Sequence, residues 1–254
     1  MRKTFRRKFG CEFEFSTHFD EVAKILPQII RSVYHKPLYY IKKDNYNSIN
    51  NTKWNLKMDA STECELNTPV SHISDLPNIE KVLKKLKAKN LSITQNDGMH
   101  IHIQANDIDY DKIVSAWIKM EKIIINCFPK HRRNNITYCE RLTPLKKNVK
   151  ISDYYLDSRS KASAHHCCIS GSSIKMRKTV EFRLCESTLD FNIVKNWILF
   201  YMYFLEYAKE NDAIQNVCEN TYFKNISEII YNLNIHNDEV EKFITNRYKQ
   251  FHGK

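Results

Sequence analysis

The alternation of charged strands with apolar helical stretches predicts an α+β fold, and three observations carry that prediction. Four short stretches alternate ionisable with apolar residues, as a half-buried strand does: Gly10-Cys11-Glu12-Phe13-Glu14-Phe15, Glu63-Cys64-Glu65, Met99-His100-Ile101-His102-Ile103 and Val180-Glu181-Phe182-Arg183-Leu184. Between and after them lie stretches with apolar residues at helical spacing. No internal repeat, low-complexity run or clear linker divides the 254 residues, so residues 1–254 are expected to form a single domain.

Taken in order, the first strand puts Glu12 and Glu14 on one face and Cys11, Phe13 and Phe15 on the other. Val22, Ile25, Leu26, Ile29, Ile30 and Val33 then predict a helix over 20–34, kinked or interrupted at Pro27. Residues 35–51, rich in Tyr, Asn and Lys, read as a surface excursion with a short strand at 38–41. Residues 54–58 and 64–67 read as antiparallel partners joined by a turn at Asp59-Ala60-Ser61. Ser74 or Asp75 is placed to cap a helix that has Pro77 in its first turn and runs to Lys89, and Asn96-Asp97-Gly98 turns into the histidine strand. A second amphipathic helix covers 109–126, followed by a basic loop through Lys130, His131, Arg132 and Arg133. Residues 165–170 and 179–184 are candidate hairpin strands, residues 191–208 form an apolar helix that should pack on the sheet, and 226–233 and 238–248 supply terminal helices.

Composition excludes several classes. Four glycines and the lack of a P-loop or GxGxxG leave any nucleotide site to be built from side chains. No apolar run approaches the roughly 20 residues that cross a bilayer, and the basic first eight residues lead into charged strand, which favours a soluble, cytoplasmic protein with no membrane partner. The eight cysteines form no CxxC pair and read as reduced thiols. Cys167-Cys168 beside His165-His166 has the composition of a zinc tract, but vicinal cysteines on a strand face opposite ways, so packing is favoured. A net charge of +11 attracts anions such as ATP, acidic peptides or nucleic acid without choosing among them, and lysines on helix faces, as at 81–89, explain much of it.

Placing Glu12, Glu14, Glu65 and Glu181 on one face sets like charges against each other, and divalent cations are the natural counter-charge. Carboxylates with an imidazole suit Mg²⁺ or Mn²⁺, and two such ions bridge triphosphate oxygens. Arg183, on the face of Glu181, can make forked bonds to a phosphate or carboxylate oxygen. One Glu-x-Glu strand alone is more often a solvated face; the four together are hard to read as surface decoration.

These motifs, in this order, resemble the amidoligase family. The resemblance rests on Gly-x-Glu-x-Glu at 10–14, Asp-x-Ser at 59–61, Glu-x-x-Thr-Pro at 65–69, Gly-x-His-x-His at 98–102, a mid-chain Arg near Tyr138-Cys139, and Glu-Phe-Arg with Thr-Leu-Asp at 181–190; it covers about residues 7–210 and leaves the C-terminal helices of 211–254 unassigned. That family belongs with glutamine synthetase and glutamate-cysteine ligase among the carboxylate-amine ligases. The resemblance implies a curved antiparallel sheet of the glutamine synthetase catalytic-domain type, with helices on its outer face, and formation of an amide through an acyl phosphate. Carried over by position, Glu12, Glu181 and His100 would hold one metal ion and Glu14 with Glu65 would help to hold the other. His102 would touch phosphate, Arg183 would stabilise the transferring phosphoryl group, and Arg132 or Arg133 would contact phosphate or the substrate carboxylate. Asp59 would orient or deprotonate the incoming amine, a role that competes with plain turn formation. Glu63 is an extra carboxylate better suited to solvent than to ligation.

The expected function is therefore an ATP-dependent carbon-nitrogen ligase using ATP and Mg²⁺ or Mn²⁺, with amino-acid, peptide or protein amines and carboxylates as substrates. The alternative is a basic nucleic-acid-binding module whose Tyr34, Tyr39, Tyr40 and Tyr46 stack single-stranded bases, or a ligase acting on modified nucleic acid. A metal-dependent hydrolase fits less well, because Arg183 and several carboxylates suit a triphosphate better than one activated water.

Overall fold

The computed structural model describes residues 5–43, 50–58, 62–133, 139–142, 167–171, 174, 177–214 and 222–252. Asp59, Tyr46, Tyr138, His165 and His166, singled out from the sequence, lie outside the described residues. Seven strands, β1 (Phe9–Phe15), β2 (Tyr39–Lys42), β3 (Trp54–Lys57), β4 (Cys64–Asn67), β5 (Gly98–Gln104), β6 (Ile169–Ser170) and β7 (Thr179–Glu186), form a mostly antiparallel open sheet in the order β2-β3-β4-β1-β5-β7-β6. Among the described residues there are seven α-helices: α1 (Phe19–Tyr34), α2 (Leu76–Lys87), α3 (Tyr110–Ile124), α4 (Lys130–Arg133), α5 (Phe191–Glu210), α6 (Ile226–Asn232) and α7 (Asp238–Phe251). The fold is thus α+β, and no described helix is long and apolar enough to cross a membrane.

The chain divides into two compact units: Arg6–Ile101 with Cys185–Lys195, and Met1–Phe5 with His102–Leu184 and Asn196–Lys254. In the first, Cys11, Phe13 and Phe15 of β1, Leu56 of β3 and Leu66 of β4 are buried, together with Val22, Leu26, Ile29 and Ile30 of α1 and Ile79, Val82, Leu83 and Leu86 of α2. Helix α1 starts on His18, whose Nδ1 accepts the Asp20 N–H at 3.4 Å, carries Asp20 and Glu21 in its first turn, and ends at His35 in the left-handed conformation (φ 56°). Pro27 does not interrupt it. A proline removes one intrahelical bond, and the buried stripe of α1 holds the turn that the missing bond would have closed. Asp75 precedes α2 as expected, but its carboxylate accepts the His72 N–H at 2.7 Å and closes the preceding 3-10 turn instead of capping α2.

In the second unit, the core is aromatic. Phe182 of β7 stacks on Tyr201 with centroids 3.9 Å apart, Phe128 stacks on Trp197 at 4.4 Å, and Trp117 meets Phe204 edge-on at 5.6 Å. Strands β6 and β7 form the expected antiparallel pair, with Ile169 opposite Phe182 and Ser170 opposite Glu181. The supposed basic loop at 130–133 is the helical turn α4, with Arg132 and Arg133 buried. Its cationic heads find backbone carbonyls and an amide oxygen inside the unit, which a reading by charge alone places in solvent.

Candidate functional site

The register of the first unit builds a polar face row by row. Opposite residues of paired strands share a face, so Glu12 of β1, Asn67 of β4, Asn55 of β3 and Tyr40 of β2 form one row. Glu14, Glu65, Lys57 and Lys42 form the next. Phe13, Leu66, Leu56 and Ile41 form the apolar row between them on the opposite face. The second polar row sets two carboxylates directly opposite each other, a pairing that destabilises a sheet unless positive charge offsets it.

Hydrogen-bonding partners for these carboxylates arrive from two sides. The ammonium of Lys57 lies 2.9 Å from Glu65 Oε1, and Asn67 Nδ2 donates to the same oxygen at 2.7 Å. On β5, His100 is buried, with Nδ1 3.3 Å from Glu12 Oε2 and Nε2 3.6 Å from Glu14 Oε1. The Gly98 N–H donates to Glu14 Oε2, and Ser187 Oγ donates to the Glu14 backbone carbonyl at 2.7 Å. Burial first, and then the charge of Glu12, push the Glu65 carboxyl well above the ordinary carboxylate range; Lys57 and Asn67 pull it back only in part. Glu12, Glu14, Glu65 and His100, predicted from the sequence as metal ligands, are therefore brought together on one face of one unit. Glu63 precedes β4 and is exposed, in keeping with the expected strand of 64–67 and with a place in solvent.

The donor set fits a hard divalent cation. Carboxylate oxygens and an imidazole suit Mg²⁺ or Mn²⁺. Asn67 is 4% exposed, and its Oδ1 has no hydrogen-bond partner among the described residues. Asn55, the next residue in that row, is by contrast fully used: its amide bonds Asn50 O at 2.9 Å and Lys53 O at 2.7 Å, and its Oδ1 accepts the Asn50 N–H at 2.9 Å. A buried polar oxygen left unmatched costs about 1–3 kcal/mol, so the orphan oxygen of Asn67 fits a site with a missing partner.

In the second unit, Glu181 and Arg183 share a face of β7, and Arg183 Nη1 donates to Glu181 Oε1. His102 and Glu181 offer ligand atoms within 4.8 Å of each other. Arg132 is 2% exposed; its Nη2 donates to the Arg183 backbone carbonyl at 2.6 Å and approaches Cys139 Sγ at 3.2 Å. Arg133 donates to Asn126 Oδ1 at 2.9 Å and to the Phe251 carbonyl at 3.3 Å. Cys167 and Cys168 are both buried, and Cys168 Sγ lies 3.4 Å from Glu121 Oε1. Burial pushes the Cys167 thiol up to about 12.

Sequence reasoning passed over Lys57, Asn67 and Asn55. The signal was available in the alternation itself: Asn67 is two residues from Glu65, and Asn55 and Lys57 are two apart in the next strand. Of the tyrosines offered for base stacking, Tyr34 accepts a hydrogen bond from Trp54 Nε1 at 3.4 Å and Tyr39 one from Arg31 at 3.0 Å.

The polar face of this α+β sheet gathers three carboxylates, an imidazole and an ammonium. The family model described as "Putative amidoligase enzyme" matches residues 5–205, and this chain belongs to that family. Membership makes it a candidate enzyme of the ligase kind, acting on substrates with amine and carboxylate groups. No curated protein matches the chain.

Proposed function

We propose that the chain is an ATP-dependent carboxylate-amine ligase that forms an amide or isopeptide bond through an acyl phosphate, on a sheet of the glutamine synthetase catalytic type and with residues 1–254 working as one catalytic domain. The observation that carries the reading is the face of Glu12, Glu14, Glu65 and His100, which holds more negative charge than Lys57 offsets, in a chain of the amidoligase family. These four residues would hold Mg²⁺ or Mn²⁺, and Glu181 keeps the metal role that the family resemblance gives it. Bound ions would draw charge from the triphosphate oxygens during phosphoryl transfer.

In the reaction, an oxygen of the substrate carboxylate attacks the γ-phosphorus and ADP leaves. The amine nitrogen then attacks the acyl carbon, phosphate leaves, and the nitrogen loses a proton. Arg183 supplies fixed donors to the phosphoryl oxygens as their charge grows, and His102 adds a contact to phosphate. Arg132 reaches the reaction through Arg183, whose carbonyl it holds, and Asp59 takes the role of orienting or deprotonating the amine. The test is ADP release from ATP and Mg²⁺ over a panel of carboxylate and amine pairs. The expected result is release that depends on both substrates; no release with any pair, from folded protein that binds neither Mn²⁺ nor ATP, would refute the reading.

A further inference from the structure

We infer that Lys57 is the built-in counter-ion of the acidic face, an ammonium that holds Glu65 and yields its place to an arriving divalent cation. The inference rests on the reading of that face as a cation site. Both protein donors to the Glu65 carboxylate, Lys57 Nζ at 2.9 Å and Asn67 Nδ2 at 2.7 Å, engage the same oxygen, Oε1. The carboxylate is thereby fixed through one oxygen and presents the other, Oε2, to a further partner. Beside it, buried Asn67 keeps Oδ1 without a partner among the described residues, in the row that contains Glu12.

The order of charge along the row explains why the group is a lysine. From the β2 edge inward the row reads Lys42, Lys57, Glu65, Glu14, cation beside cation and then anion opposite anion. Lys42 stands next to Lys57 on the sheet, so the Lys57 ammonium is repelled from one side and attracted from the other. Its head is a compact point charge on a four-carbon stem, able to swing away when a doubly charged ion approaches Glu65, which the planar fork of an arginine does less readily. Three carboxylates on this face are more stable beside a resident cation than without one; an enzyme that must take up and release metal needs that cation to be dismissible.

The test is Mn²⁺ titration without nucleotide, by calorimetry and by electron paramagnetic resonance, with thermal melts in parallel. Lys57→Met removes the competing charge and should bind Mn²⁺ at least about tenfold more tightly than the wild type. Its melting temperature should be lower without divalent ion and return to the wild-type value with Mn²⁺. Lys57→Gln, which keeps a donor for Oε1 without the charge, should tighten Mn²⁺ in the same direction, and Lys57→Arg, whose fork leaves the carboxylate less readily, should bind Mn²⁺ more weakly than the wild type. Unchanged or weaker Mn²⁺ binding by Lys57→Met and Lys57→Gln, with the wild type binding well, overturns the inference and leaves the ligase reading standing. Failure of both neutral variants to fold even with Mn²⁺ also overturns it, because the cation would then be unable to replace the ammonium. Absence of Mn²⁺ binding by the wild type removes both the inference and the metal site beneath it.

Discussion

The acidic face of the first unit and the Glu181–Arg183 strand of the second use one device, ionisable side chains two residues apart, and balance it in opposite ways. The first gathers Glu12, Glu14 and Glu65 around a single lysine and His100, and burial drives the Glu65 carboxyl upward. The second matches Glu181 with Arg183 on its own strand and ties Arg183 down by its backbone through Arg132. One region sets three carboxylates against one lysine; the other pairs its carboxylate with an arginine of its own strand. In the proposed reaction metal would come and go with the nucleotide, while the cation that meets the transferring phosphoryl group would stay aimed.

The comparison breaks most visibly at Glu12. Glu12→Gln should cut ADP release at least about a hundredfold and weaken Mn²⁺ binding, with the urea midpoint nearly unchanged, because Glu12 is the least buried carboxylate of its face. Turnover near the wild-type rate would remove the first region from the reaction. Arg132→Met should cost about 2 kcal/mol in urea unfolding, by removing the charged donor to the Arg183 carbonyl and leaving it only the weaker Cys139 thiol at 3.0 Å, and should lower kcat more than it raises the KM for ATP. A raised KM with unchanged stability would instead make Arg132 a phosphate contact, as the family resemblance has it.

Gly171 stands just after β6, where a Cβ would run into the Tyr110 ring. Gly171→Ala should therefore cost about 1–3 kcal/mol in thermal or urea unfolding. The smallest effect is expected at Glu121, which accepts the Leu142 N–H at 2.8 Å and the Trp117 indole N–H at 3.1 Å. Burial is the main cause that raises its carboxyl above the ordinary value. Since the folded value lies above the unfolded one, the protonated form's contribution to stability is complete below about pH 4.3 and is lost as pH rises through the raised folded value. Glu121→Gln should match the wild type in melts at low pH and overtake it as pH rises; parallel curves would show that burial of this carboxyl has no linkage to folding.

The strands and their carboxylate face were legible because period-two alternation survives in Glu12-Phe13-Glu14 and in His100-Ile101-His102, where only one register keeps the apolar partners inside. Cross-strand neighbours were not legible, since nothing in the sequence says that Lys57 stands opposite Glu65 and not beside it; register is set by chain packing beyond the strand itself. Charge also misled at 130–133, where four basic residues in a row suggest solvent. Arg132 and Arg133 are instead buried because carbonyls of distant segments accept their protons. Pro27 misled in the other direction, because local propensity carries no knowledge of the buried stripe that keeps α1 whole.

Helix α7 lies beyond the 5–205 span that defines the family, yet it is no appendage. Its Arg247 donates Nε to the Cys127 carbonyl at 3.0 Å and lies 4.6 Å over the Phe251 ring, and its Phe243 meets Trp197 edge-on at 5.3 Å. Trp197, in turn, stacks on Phe128 within the family span. Trimming the chain to its recognisable portion would thus strip the lid from an indole and orphan a peptide oxygen, so any shortened version meant for crystallisation or assay should retain residues through Phe251 or expect aggregation.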